Sequence, residues 1–210
     1  MVGTRRATVP ATRVPALCPG GTVVCLGGGP SLTVEDVDYC RGKATVIAVN
    51  DAYRLAPWAD ALIASDAAWW SHYKGVPGFA GMKVCVQPGA DRWPGVMVLR
   101  NTGPSGLETD PTGLRTGRNT GAAAINLAVH FGAARVLLLG YDMEAKDERH
   151  SHWFGPHPRG LRGGSPYPLF RQMFAAMVQP LKAAGVVVIN CSRQTALACF
   201  PRRPLREVLT

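Results

Sequence analysis

Residues able to do chemistry gather in three stretches of this sequence. The first is Gly27-Gly28-Gly29-Pro30-Ser31, three glycines, a proline and a hydroxyl directly after an apolar run. Glycines at such a turn let backbone N–H groups face an anion, and a following helix adds the positive end of its dipole. The stretch lacks the GK[ST] of a Walker A loop. Gly27 and Gly29 match the first two glycines of a dinucleotide fingerprint, but Leu32 stands where the third would be. A plain tight turn competes with a ligand loop, and Ser31 suits either a helix cap or a phosphate oxygen.

The second stretch is Thr116-Gly117-Arg118-Asn119-Thr120-Gly121, which opens an Ala-rich segment. Asn119 or Thr120 caps the start of that helix, and Arg118 has the geometry for a bidentate phosphate contact. An ordinary cap with a solvent-facing arginine is the plainer alternative. The third is "RHSHWFGPHPRG", where His150, His152 and His157 place three of the five histidines within eight positions. Three readings stay open: a metal site, a general acid or base on a loop that closes over substrate, or a surface loop docked by Trp153 and Phe154. HxHxxxxH is not a recognised zinc spacing.

The elements that must carry these residues are short apolar runs alternating with helical segments. Strands are predicted over 22–27, 44–50, 60–66, 82–87, 96–101, 135–142 and 186–190. Helices are predicted near 33–41, after 66, over 119–133 and over 168–185, the last kinked or broken by Pro180. Strands apolar on both faces with helices between them predict one Rossmann-like, doubly wound, mainly parallel α/β sheet with helices on both faces. Ligands of such sheets bind beyond the carboxyl ends of the strands. Four strand ends carry a glycine cluster or polar residues: Gly27–Ser31, Asn50-Asp51, Ser65-Asp66 and Tyr141-Asp142. Turn formers explain one or two of these; four point to a site. Residues 1–20 read as a flexible basic arm, 21–200 as a nucleotide-binding domain with a His-rich, lid-like loop near 144–166, and 201–210 as a basic tail. Trp69, Trp70 and Tyr73 read as packing residues.

Composition bounds the function classes. Apolar residues make up 47% of the 210, enough for a buried core. No run reaches the roughly 18 apolar residues needed for a membrane span. The amino terminus has no continuous apolar stretch of the secretory kind. The six cysteines form no zinc-like spacing, in keeping with a reducing, cytoplasmic setting. The formal charge of +9 has two readings: attraction to nucleotide or nucleic-acid phosphates, or an arginine-rich solvated surface. No nucleic-acid-binding motif decides between them.

Over residues 22–160 the ordered set resembles the bacterial lipooligosaccharide sialyltransferases and the related flagellin-glycosylation accessory factors. The set comprises an apolar strand into G-x-G-P-S-L, a strand ending V-N, a strand ending in Asp before a bulky helix, a T-G turn opening an Ala-rich helix, a strand ending G-x-D, and a loop S-H-aromatic-x-G-P-H. It is also similar to archaeal-type 6-hydroxymethyl-dihydropterin diphosphokinases, which share the glycine turn, and looks most like small bacteriophage members of this group. The resemblance implies glycosyl transfer from a nucleotide-activated donor to an acceptor hydroxyl, without a required metal, in a host cytoplasm if phage-encoded. It implies that Gly27, Gly29, Pro30 and Ser31 hold nucleotide phosphate and ribose, with Asn50, Asp66, Thr120 and Gly121 at the donor site; Gly28, Asp51, Arg118 and Asn119, read from the same turns and strand ends, join them as binding candidates. His152, His157 and Asp142 become the catalytic candidates. His152 and His157 match the two histidines of the catalytic loop, one of them the base, and an extra Pro156 obscures which. Asp66 stands where the sialyltransferases have a second Asn. The tyrosines that steady the leaving phosphate have no match after Asp142 unless Tyr167 serves. Two alternatives remain: a Mg-dependent pyrophosphokinase with Asp51, Asp66 and Asp142 as metal ligands, and a non-catalytic nucleotide- or DNA-binding accessory protein. A homo-oligomer is compatible with all three.

Overall fold

The computed structural model of the chain describes residues 12–145, 152–155, 161 and 165–210. The expectations for His150 and His157 therefore lie outside the described residues. Seven parallel strands form one sheet in the order β5-β4-β3-β2-β1-β8-β9. They are β1 (Thr22–Leu26), β2 (Thr45–Val49), β3 (Ala61–Ile63), β4 (Met82–Cys85), β5 (Val96–Val98), β8 (Arg135–Leu139) and β9 (Val187–Asn190). The chain runs outward from β1 to β5, then returns to lay β8 on the other side of β1. The switch in direction falls between β1 and β8, where such sheets bind ligands.

The pleat divides the core in two. Val23, Cys25, Ile47 and Val49 face one apolar cluster; Val24, Leu26, Val46 and Ala48 face the other. Burial on both faces is why these strands read as unbroken apolar runs. Against the first face packs α3 (Thr120–His130), whose Ala122, Ala123 and Ala124 let it approach β1 and β2 closely. Against the second packs α1 (Val34–Cys40), started by Thr33 accepting from the Asp36 N–H at 3.2 Å, with Glu35 and Asp36 favourably placed in its first turn. The other cluster also includes Trp69 and Trp70 of α2 (Ala67–His72), as expected of packing residues.

Several boundaries moved. The segment expected as one strand over 96–101 is split: Leu99 still donates to the Cys85 carbonyl, but Arg100 donates to Thr112. From there the chain forms β6 (Arg100–Gly103), paired with β7 (Gly113–Arg115) in a separate two-stranded sheet. The long helix after 166 is two, α4 (Tyr167–Ala175) and α5 (Val178–Ala183). Pro180 sits in the first turn of α5 and has no N–H to offer the Ala176 carbonyl one turn back, so the break falls at Ala176–Met177. A 3-10 turn over Asn50–Arg54 directly follows β2.

The described part of the expected arm, residues 12–20, and residues 201–210 pack more than a loose arm and tail would. Val14 is buried and donates to the Pro111 carbonyl, while Cys18 and Gly20 donate to Phe131 and Gly132. Residues 205–208 form α6 (Leu205–Val208), and Leu205 and Leu209 are buried in the second cluster. No described helix is long and apolar enough to cross a membrane.

After β9 the chain returns to α1, where Arg193 donates to both Asp36 carboxylate oxygens, at 2.7 and 3.0 Å. The Arg193 hydrogen bond holds the Asp36 carboxyl below its ordinary 3.8, against an upward pull from burial. Because the native value is depressed, this stabilisation is present above pH 3.8 and is lost as pH falls through the native value. Arg193→Ala should lower stability at pH 7 by about 1–2 kcal/mol, reduced from a fully buried pair because the arginine is 53% exposed. Urea titrations of both proteins from pH 7 down to acid should show the gap closing below pH 3.8.

Candidate functional site

The close approach that requires glycine after β1 is made first by the neighbouring strand end. A Cβ on Gly27 would lie 2.5 Å from the Gly140 carbonyl oxygen, and one on Gly29 2.5 Å from the Asp142 carboxyl carbon. Gly29 donates to the Gly140 carbonyl at 2.8 Å. Ser31 completes the clamp: its N–H donates to Asp142 Oδ2 at 2.7 Å and its hydroxyl to Oδ1 at 2.6 Å. Asp142 is 2% exposed. Burial pushes its carboxyl above the ordinary value, the two Ser31 donors oppose that, and the nearby Glu144 charge adds to the rise.

Gly28 differs from its neighbours. A Cβ there would meet only side chains, His152 Cδ2 at 3.2 Å and Phe154 at 3.8 Å. Its carbonyl accepts from the Trp153 N–H at 3.1 Å, which docks the histidine loop onto the glycine turn. The His152 and Phe154 rings stack with centroids 5.0 Å apart, and the Arg54 guanidinium lies 5.7 Å over Trp153.

Together these walls enclose an open cleft of about 90 Å³ at the β1–β8 switch. Of the sequence candidates, Gly27, Gly28, Gly29, Asn50, Asp51, Asn119, Thr120, Gly121, Asp142 and His152 line it. The opposite wall is the start of α3. Asn119 caps it by accepting from Gly121 N at 2.8 Å, and the Tyr141 hydroxyl donates to the Gly121 carbonyl at 3.0 Å. A Cβ on Gly121 would sit 2.8 Å from the Tyr141 ring, which explains that glycine. Thr120 is only 8% exposed, yet neither its hydroxyl nor its N–H has a hydrogen-bond partner among the described residues. The Gly28 N–H is likewise without one. Asn50 and Met143, both lining the cleft, hold left-handed backbone at φ 50. Lys74, Val76 and Arg118 hold the same region outside the cleft, and asparagine adopts it readily, so Met143 is the less expected of the two.

Four candidates are placed otherwise. Asp66 is exposed and outside the cleft, accepting from Gln87 Nε2 at 3.1 Å. Arg118 is exposed with φ 53 and is not in the lining; its backbone turns the chain into Asn119. Pro30 and Ser31 stand behind the wall, Ser31 turned toward Asp142. Asp51 lines the cleft, but its two oxygens accept from Trp69 Nε1 at 3.2 Å and from the Tyr73 hydroxyl. Burial, then the bond to Asp51, raises the Tyr73 phenol. Asp51, Asp66 and Asp142 therefore do not converge on a magnesium site. No cluster of His, Cys, Asp or Glu suited to a metal occurs among the described residues.

Sequence reasoning missed Met143, Glu144, Ser165 and Phe170, which also line the cleft. Tyr167, at the start of α4, joins them; its phenol is raised mainly by burial. Glu144 had one available signal, its place two residues beyond Asp142 at the same strand end. The lining carries three carboxylates, Asp51, Asp142 and Glu144, one imidazole, and no Lys or Arg among the described residues.

No known family profile and no curated protein matches this chain. Among solved structures, it is similar to the MAf glycosyltransferase from Magnetospirillum magneticum AMB-1, with a TM-score of 0.66 and 14% identity. That likeness covers 93% of this chain but only 35% of the Magnetospirillum chain, so this chain spans about a third of that protein. It is also similar to the sialyltransferase CstII from Campylobacter jejuni, in complex with the substrate analogue cytidine-5'-monophosphate. There the TM-score is 0.54 with 13% identity, covering 89% of this chain and 86% of the other. The fold is thus one shared with glycosyltransferases.

The glycine geometry separates structural from cleft-facing positions. Gly29→Ala should cost roughly 1–3 kcal/mol, because its Cβ meets Asp142 and backbone that cannot withdraw. Gly28→Ala should cost less than about 1 kcal/mol, since the His152 ring can shift aside. Thermal unfolding of the two variants checks this; equal losses would contradict it.

Proposed function

We propose that the chain is a nucleotide-dependent glycosyltransferase. A nucleotide-activated sugar binds between the glycine turn and the start of α3, and an acceptor hydroxyl takes the sugar. The observation that carries the reading is the pair of N–H groups without partners among the described residues, Gly28 and Thr120, with the Thr120 hydroxyl, in one cleft at the strand-order switch. Such groups at the start of an 11-residue helix suit a phosphate without a lysine or arginine beside it. The likeness in fold to CstII, whose complex holds cytidine-5'-monophosphate, supports the same reading.

In this reading the His152 imidazole takes the proton of the acceptor hydroxyl. The acceptor oxygen bonds to the anomeric carbon as the bond from that carbon to the phosphate oxygen breaks. The nucleotide leaves with its phosphate facing the α3 N-terminus, and the Tyr167 hydroxyl is a further donor from the opposite wall. Stacking on Phe154 orients His152, and docking of Trp153 on Gly28 ties that orientation to the phosphate turn. A pyrophosphokinase reading fits less well, because the carboxylates it needs are separated or already hydrogen-bonded.

Cytidine, uridine and adenosine nucleotides near millimolar should be screened by thermal shift, and at least one should stabilise the protein. Thr120→Val should weaken that nucleotide about 3- to 12-fold while leaving the unliganded melting temperature nearly unchanged. His152→Ala should keep nucleotide binding and lower the transfer rate roughly 10²- to 10⁴-fold. Stabilisation by no nucleotide would overturn the reading.

A further inference from the structure

The charge of the cleft carries information about the sugar. Asp51 and Asp142 line it with their oxygens committed to Trp69, Tyr73 and Ser31. Glu144 also lines it, is partly exposed, and has no hydrogen-bond or ion-pair partner among the described residues. It therefore differs from the two buried aspartates in having a carboxylate available to a ligand. It stands two residues beyond Asp142 at the end of β8, and both line the cleft. Arg171 of α4, outside the lining, donates to the Met143 carbonyl at 3.1 Å.

We propose that Glu144 selects by charge, so that the transferred sugar is neutral or amino-substituted and a sugar acid is disfavoured. The inference rests on the nucleotide-sugar reading above. A phosphodiester can be met by the N–H groups of Gly28 and Thr120. A second anion on the sugar would find no described Lys or Arg in the lining and would face Glu144 instead. Like charges in a partly shielded cleft repel enough to cost roughly tenfold or more in affinity. Neutral hexose hydroxyls instead donate hydrogen bonds to the Glu144 carboxylate, and an ammonium adds charge attraction. The Tyr167 and Phe170 rings, edge to face at 6.4 Å, add apolar surface suited to the C–H face of an uncharged sugar.

The test uses two pairs that differ at a single carboxylate: UDP-glucose with UDP-glucuronate, and CMP-N-acetylneuraminate methyl ester with CMP-N-acetylneuraminate. Titration calorimetry on the full chain, with CMP and UDP alone as references, gives each affinity. In the pair whose nucleotide binds, the neutral member should bind at least about tenfold tighter. Glu144→Gln should bring the two members within about threefold by strengthening the acid, without lowering the melting temperature. Equal binding of acid and neutral sugar by the wild type would overturn the inference and leave the nucleotide reading standing. So would a preference that persists unchanged in Glu144→Gln. Failure of every nucleotide and nucleotide-sugar to bind would overturn both.

Discussion

Ser31 donates twice to the buried carboxylate of Asp142, and beside it the Gly29 N–H reaches the Gly140 carbonyl. This clamp joins the first strand to one that lies more than a hundred residues later in the chain. It fixes the turn after β1 against the end of β8, the point where the sheet reverses direction. Everything else in the cleft is placed relative to it. The histidine loop docks on Gly28 through the Trp153 N–H, and Tyr141, next to Asp142, reaches across to the start of α3. Burying a carboxylate without a cation is costly, and among the described residues the Asp142 carboxylate has only Ser31 to offset that cost. Its raised proton affinity records the balance.

The clamp also changes what the three glycines mean. Two of them are small because backbone and a carboxylate press against them, and a ligand is not needed to explain either. The middle one lines the cleft, and its N–H has no partner among the described residues. A turn that looks uniform in sequence thus splits into two structural positions and one cleft-facing position.

Much of the fold was legible because a parallel sheet buried on both faces writes itself as apolar runs, and β1, β2, β4, β8 and β9 appear where such runs stand. The site was legible in part because polar residues follow those runs. Asp66 shows the limit. It follows a strand as Asp142 does, but β3 lies two places from β1 while β8 is adjacent to it, and strand order cannot be read from periodicity. Asp51 shows another: its neighbours in the sequence do not reveal that Trp69 and Tyr73 occupy its oxygens. Arg118 looked like a phosphate ligand by type, but the positive φ that starts α3 accompanies an exposed side chain. The closing residues looked like a charged tail because three arginines, Arg202, Arg203 and Arg206, mask the buried Leu205 and Leu209.

If the cleft at the β1–β8 switch receives a nucleotide phosphate on the Gly28 and Thr120 amides, which have no partners among the described residues, amide resonances followed during a nucleoside monophosphate titration report it directly. The Gly28 and Thr120 N–H signals should then move furthest and saturate together. Gly29 and Ser31, already bonded to Gly140 and Asp142, should move little. Saturable binding that shifts other regions and leaves Gly28 and Thr120 unmoved would contradict it.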